Sequence, residues 1–280
     1  MKRIPLPVIL IGALLTVLAI AYLGPSILVH HKGSLTAAER LKATSDARTS
    51  LAQVIAAVGL FGGLTFTART YLLSRVGQIT DRYQAGVRQL GDDSRSVRIG
   101  GIYALEQLAK EERSTQQTIW NVLASFIHET AKQHDPSWRR HLPVTDSDLT
   151  GDVQAALTVL GRPGRDASVH PANLSATVLT GADLQRAQLD GTLLRKTRLE
   201  RANFTDATLD RAVLRQAILR RANLSGTSLR GADLTEADLR GATLYRADFA
   251  DATLTRCRLT GCDLSTVRNF TCQQRRDAKF

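Results

Sequence analysis

Three clustered histidines, three cysteines and a recurring set of arginines are the side chains of this 280-residue chain with chemistry to offer. His128, His134 and His141 fall within one segment and would have to converge to hold a metal. Their surroundings read as a helix end and a linker, so solvated imidazoles are expected. Cys257 and Cys262 take positions that elsewhere hold small inward residues, and with Cys272 they lack the paired spacing of a zinc site. The "GRPGR" at residues 161–165 is too short for a phosphate loop and lacks its strand-to-helix frame. No nucleophile and base form a constellation. The chain is therefore expected to be no enzyme, with no metal and no cofactor. What remains is charge. Arg198, Arg201, Arg220, Arg221, Arg240 and Arg258 recur at related positions. Such a set suits an acidic protein, an anionic lipid or a nucleic acid.

The element that positions these arginines has a period of five. In "RGADLTEADLRGATLYRADFADATL", residues 230–254, an apolar residue returns every fifth place with an alanine two places before it. Strands repeat every two residues and helices about every 3.6, so neither fits. From Leu174 to Leu264 every fifth residue is Leu or Phe, 19 positions in all. Two places earlier the residue is always small: Ala thirteen times, Thr four times, Cys twice. A narrow coil satisfies this pattern, each unit pointing one large and one small side chain inward before turning a corner. Leu174, Leu184, Phe204, Leu224, Leu234, Phe249 and Leu264 are then core residues. Each buried leucine contributes roughly 1.5–3 kcal/mol before entropy.

The units "ANLSA", "ADLQR", "ANFTD", "ANLSG", "ADLTE", "ADLRG" and "ADFAD" resemble the pentapeptide-repeat family. The resemblance implies a mainly β fold, a right-handed quadrilateral β-helix with four units per coil. Two apolar N-terminal stretches and the "GGIYALEQLA" helix also look like membrane-anchored members of that family.

With four units per coil, residues twenty apart share a side. The side centred on Leu179, Leu199, Leu219, Leu239 and Leu259 carries the six arginines named above against Glu200 and Asp238, a net +4. The side of Leu174 nets +2, that of Leu184 −1, and that of Leu189 −2. The coil should be electrically two-sided.

Residues 4–29 carry no charge and exceed the roughly 20 needed to cross a bilayer. A second apolar stretch, Leu51 to Ala68, is just long enough, and the expected span runs from about 51 to 73. Lys2 and Arg3 before the first stretch, with Arg69, Arg75, Arg82 and Arg88 after the second, place both termini in the cytoplasm of a bacterial inner membrane. The expected organisation is two membrane helices in 1–73 and a small helical segment over 74–134. A linker and capping helix follow in 135–170, then the coil in 171–270 and a tail in 271–280. The middle segment reads as three short helices, with Ser114 and Gln117 at capping-box spacing. The helix in "DVQAALTVL" should cover the first open coil edge. The tail "TCQQRRDAKF" offers no obvious cap, so an exposed last coil could pair with a second copy as a homodimer.

A net charge of +11 favours acidic partners, whereas only 5% aromatic residues argue against stacking-based nucleic-acid binding. An odd cysteine count makes no disulfide framework and points to a reducing compartment. The family's DNA-mimicking members present acidic rods. Residues 171–270 hold 15 basic against 11 acidic side chains, which argues against mimicry. The expected function is a membrane-anchored scaffold presenting its basic face to a cytoplasmic protein partner. Anionic-lipid contact ranks second, and topoisomerase or nucleic-acid binding third.

Overall fold

The computed structural model describes residues 36–133, 149–164 and 169–280. The first apolar stretch, 4–29, lies outside them, as do His134 and His141. The chain divides into two compact units, Met1–Gly77 and Gln78–Phe280.

Helix α1 spans Ala37–Leu90, far beyond the expected 51–73. Its start falls between the two expected spans, 4–29 and 51–73. "AAERLKATSDARTS" contains no Gly or Pro and is rich in helix formers, so nothing breaks the helix there. Gly77 does not end it either; it closes at Gly91, whose N–H donates to Arg88 O at 3.1 Å. Among the described residues, Arg48–Leu90 is the one helix long and apolar enough to cross a membrane. Within it Thr65, Thr67 and Thr70 donate their hydroxyls to carbonyls four residues back, at 2.7, 2.9 and 2.9 Å. These three hydroxyls are thereby satisfied within the helix.

In the second unit, helices α2 (Arg95–Glu111), α3 (Gln116–Gln133) and α4 (Gly151–Leu160) pack on one another. Ile102, Leu105, Ile119, Leu123, Ile127 and Leu157 are fully buried between them. A 3₁₀ turn, Arg113–Thr115, joins α2 to α3. The expected capping box at Ser114 and Gln117 does not form. The Ser114 hydroxyl donates to Glu112, and Gln117 Oε1 accepts the His170 N–H at 2.6 Å. Two carboxylates lock the bundle. Asp152, with a fully buried side chain, accepts Arg98 Nε at 2.6 Å. Glu106 takes both oxygens to Arg162 Nη1 at 2.7 Å.

The repeats form a coil with a period of twenty residues, seen in parallel bridges such as Asn173↔Leu193, Leu193↔Val213 and Val213↔Asp233. The fold is of β-helix type. Among the described residues, however, it holds isolated bridges and no extended strand, because a corner follows every five residues. Each corner is a turn such as Leu199–Glu200–Arg201–Ala202, closed by the Ala202 N–H to Leu199 O at 3.1 Å. Its third residue is left-handed. From Ala176 to Gly261 all these corner residues have φ between 55 and 76°, and most of them are not glycine. Type II turns require that conformation.

Leu174, Leu184, Phe204, Leu224, Leu234 and Phe249 are buried to 3% exposure or less, whereas Leu264 in the last coil is only half-buried. Inward threonines are satisfied along the axis: Thr197 Oγ1 donates to Leu174 O at 2.8 Å and Thr227 Oγ1 to Phe204 O at 2.7 Å. Cys262 Sγ repeats that bond to Leu239 O at 3.0 Å.

Both ends of the coil are covered. At the first coil the Asp183 N–H goes to Gln154 Oε1 at 3.0 Å and the Gln188 N–H to Gly161 O at 2.8 Å, both from α4 and its C-cap. At the last coil the tail folds as α5 (Cys272–Asp277) with a Thr271/Gln274 capping box. Gln274 Nε2 donates to Phe249 O and Ala252 O, each at 2.8 Å, and the Leu259 N–H reaches Lys279 O at 2.8 Å. The tail is thus a cap, contrary to the sequence reading. It occupies part of the edge on which the homodimer expectation rested, while Leu264 and Val267 of the final coil stay half-buried.

Candidate functional site

The bridges align side chains twenty residues apart into columns along the coil, about 4.8 Å per step. Two kinds of side result.

On the side centred on Leu179 and Leu199, two carboxylates hold three of the six arginines. Asp238 accepts Arg220 Nε at 2.7 Å, Arg240 Nε at 2.9 Å and Arg240 Nη2 at 2.8 Å. Those hydrogen bonds, Arg240's first, keep the Asp238 carboxyl well below the usual carboxylate range. Arg198 Nη2 lies 3.4 Å from Glu200 Oε1. Arg201 and Arg221 stand at left-handed corners with φ of 59 and 56°, which throws both side chains outward. Arg258 is exposed and bridged to Asp238 below and Lys279 above. The structure therefore brings the six arginines onto one side. It leaves Arg221 and Arg258 without an ion pair among the described residues.

On the side centred on Leu189 three of the four carboxylates, Asp190, Asp210 and Asp248, are held by the coil itself, and the fourth, Asp251, is exposed at a corner. Asp190 accepts the Thr208 hydroxyl and the Asp210 N–H, both at 3.0 Å. Asp210 accepts the Ser228 hydroxyl and the Arg230 N–H. Asp248 accepts Arg230 Nε and Asn269 Nδ2, both at 2.7 Å, with the Ala250 N–H at 3.0 Å. Formal charge counted from sequence overstates what this side presents.

The remaining candidates lie apart. Cys257 is buried, and burial pushes its thiol up to about 12. Cys262 is half-buried and Cys272 exposed. His128 is half-buried near the end of α3. Arg162 of the "GRPGR" stretch serves Glu106 and lies 5.8 Å from the Tyr103 ring centroid. Sequence reasoning missed the Asp152–Arg98 and Glu106–Arg162 pairs. A lone carboxylate opening the apolar "DVQAALTVL" was the available signal for the first.

The family described as pentapeptide repeats matches residues 172–195, 197–235 and 232–268, in eight copies. Among solved structures, the pentapeptide repeat protein Rfr23 of the cyanobacterium Cyanothece 51142 shares 29% identity over 36% of this chain and 67% of its own, with a TM-score of 0.31. A pentapeptide repeat protein of the Arabidopsis thaliana thylakoid lumen shares 25% identity over 41% of this chain and 79% of its own, with a TM-score of 0.28. HetL of Nostoc sp. strain PCC 7120 shares 32% over 35% of this chain and 54% of its own, with a TM-score of 0.15. No curated protein matches the chain. Residues 172–268 belong to the pentapeptide-repeat family.

Proposed function

We propose that the chain is a non-enzymatic, membrane-anchored scaffold whose right-handed, four-sided coil presents a cationic side to an acidic cytoplasmic protein. Two membrane spans, the second within α1, would hold it at a bacterial inner membrane with the coil inside. The observation that carries this reading is the contrast between the two sides. Asp190 and Asp210 of the Leu189 side are consumed by amides and hydroxyls of the next coil, while Arg221 and Arg258 make no ion pair among the described residues. Arginine's planar fork suits carboxylate recognition at such a surface.

Photo-cross-linking of the full chain in its native membrane tests this, with probes at Arg221 and at Asp210. Arg221 is preferred to Arg220, which Asp238 already holds. Capture of one discrete protein from Arg221 alone supports the scaffold. Capture of lipid alone, of nucleic acid, or of the same species from both positions overturns it.

A further inference from the structure

One residue before each inward centre, the coil presents an outward position, and from Asn173 to Asp263 those positions are polar with four exceptions: Val178, Leu193, Val213 and Ile218. Val178 lines a small cavity with Thr130, Leu149 and Val153 of the helical cap. The other three are half-buried, and none is part of the apolar core or packed against it. Leu193 and Val213 are bridged to one another and so stack one coil apart. Ile218 stands on the next side of the same coil as Val213, around the corner closed by the Ala217 N–H to Leu214 O at 3.0 Å.

That corner is cationic. Arg195 and Lys196 are exposed on it and make no ion pair among the described residues. Across these two sides, residues 193–201 and 213–221 hold seven cations against one carboxylate, +6. The next coil, residues 233–241, holds one cation against three carboxylates, −2. Cationic charge is therefore banded along the axis, and the band coincides with the three apolar residues of this register, among the described residues, that do not line the cavity against the cap.

An apolar centre that can be dried, flanked by cations that a partner can pair, is the anatomy of a protein–protein docking site. We infer that coils two and three dock an acidic protein segment. Its apolar side chains cover Leu193, Val213 and Ile218, and its carboxylates reach Arg195, Lys196 and Arg221. Phosphates of a nucleic acid or of lipid headgroups would use the cations and gain nothing from the apolar positions. The inference rests on the docking reading above. It moves the contact away from Arg240, tied to Asp238, and from Arg258, beyond the band.

The test uses the full chain in phosphatidylcholine nanodiscs with two fluorescent peptides of equal glutamate number, one alternating Glu and Leu and one of Glu alone. The mixed peptide should bind about tenfold more tightly, the equivalent of a few buried methylenes. Leu193→Asn, Val213→Asn and Ile218→Asn together should erase that difference without lowering the melting temperature. Asparagine already stands at this register in Asn173, Asn203 and Asn223. Arg246→Gln, exposed on the side of Leu184, should change binding less than about twofold. Equal affinity for both peptides, unmoved by the triple variant, overturns the apolar centre and leaves the charge-based scaffold standing. Binding of neither peptide, or only of phosphatidylserine vesicles, overturns both.

Discussion

On the side of Leu189, Asp190 and Asp210 accept backbone N–H groups of the following coil, and Asp248 accepts Arg230 from the coil before it. On the side of Leu179 the carboxylates Glu200 and Asp238 face six arginines and hold three. The backbone, bridges and five-residue register are the same in both places. A short carboxylate can bend back onto an amide two residues on or one coil away, whereas a long guanidinium reaches outward unless a carboxylate meets it. An aspartate on this coil therefore tends to become structure, and an unmatched arginine becomes surface.

The largest expected effect is common to both sides. Phe204→Ala, at a fully buried inward centre, should cost about 3–5 kcal/mol in thermal or denaturant unfolding. A loss under about 1 kcal/mol would mean that the inward ladder does not hold the coil. Next comes the corner at Gly226, whose φ is +69° and where an added Cβ would lie 2.3 Å from Asp206 Oδ1. Gly226→Ala should destabilise by about 1–3 kcal/mol, and an unchanged melting temperature would show that this corner can relax. Asp190→Ala separates the two sides, because it strands the Asp210 N–H and the Thr208 hydroxyl; about 1–2 kcal/mol is expected.

Asp238→Asn should cost about 1 kcal/mol at pH 7. The Asp238 pKa is depressed in the folded state, so its contribution is fully present above the unfolded carboxylate value of about 4 and is lost as pH falls through the lower folded value. The gap in melting temperature between Asp238→Asn and the parent should accordingly narrow from pH 7 to pH 2. A constant gap would mean the ion pair contributes nothing through charge. The smallest effect belongs to the available cations: Arg195→Gln and Lys196→Gln should alter stability by less than about 0.5 kcal/mol. A larger loss would make them structural and remove them from the docking surface.

The period of five made the coil legible, because each inward centre is local in sequence. The left-handed corners were not legible. Arg201, Arg221, Asp206 and Lys196 stand there, where a turn rule looks for glycine. The tail cap escaped because Gln274 reaches back 25 and 22 residues to Phe249 O and Ala252 O. Ser114 and Gln117 have capping-box spacing, yet Gln117 turns to His170, 53 residues away, while a capping box forms at Thr271. On the candidate site, sequence placed the six arginines on one side. It could not tell Arg240, forked onto Asp238, from Arg221, which makes no ion pair among the described residues. It also gave no weight to Leu193 and Val213, whose outward direction matters only once coils are stacked.

The most direct measurement is arginine-reactive footprinting by mass spectrometry, on the full chain in its native membrane and after purification into neutral bilayers. Arg195 and Arg221 should react readily when purified and be protected in the native membrane, while Arg230, held by Asp248, should react slowly in both. Equal reactivity of Arg195 and Arg221 in the two settings would contradict a docked cationic side.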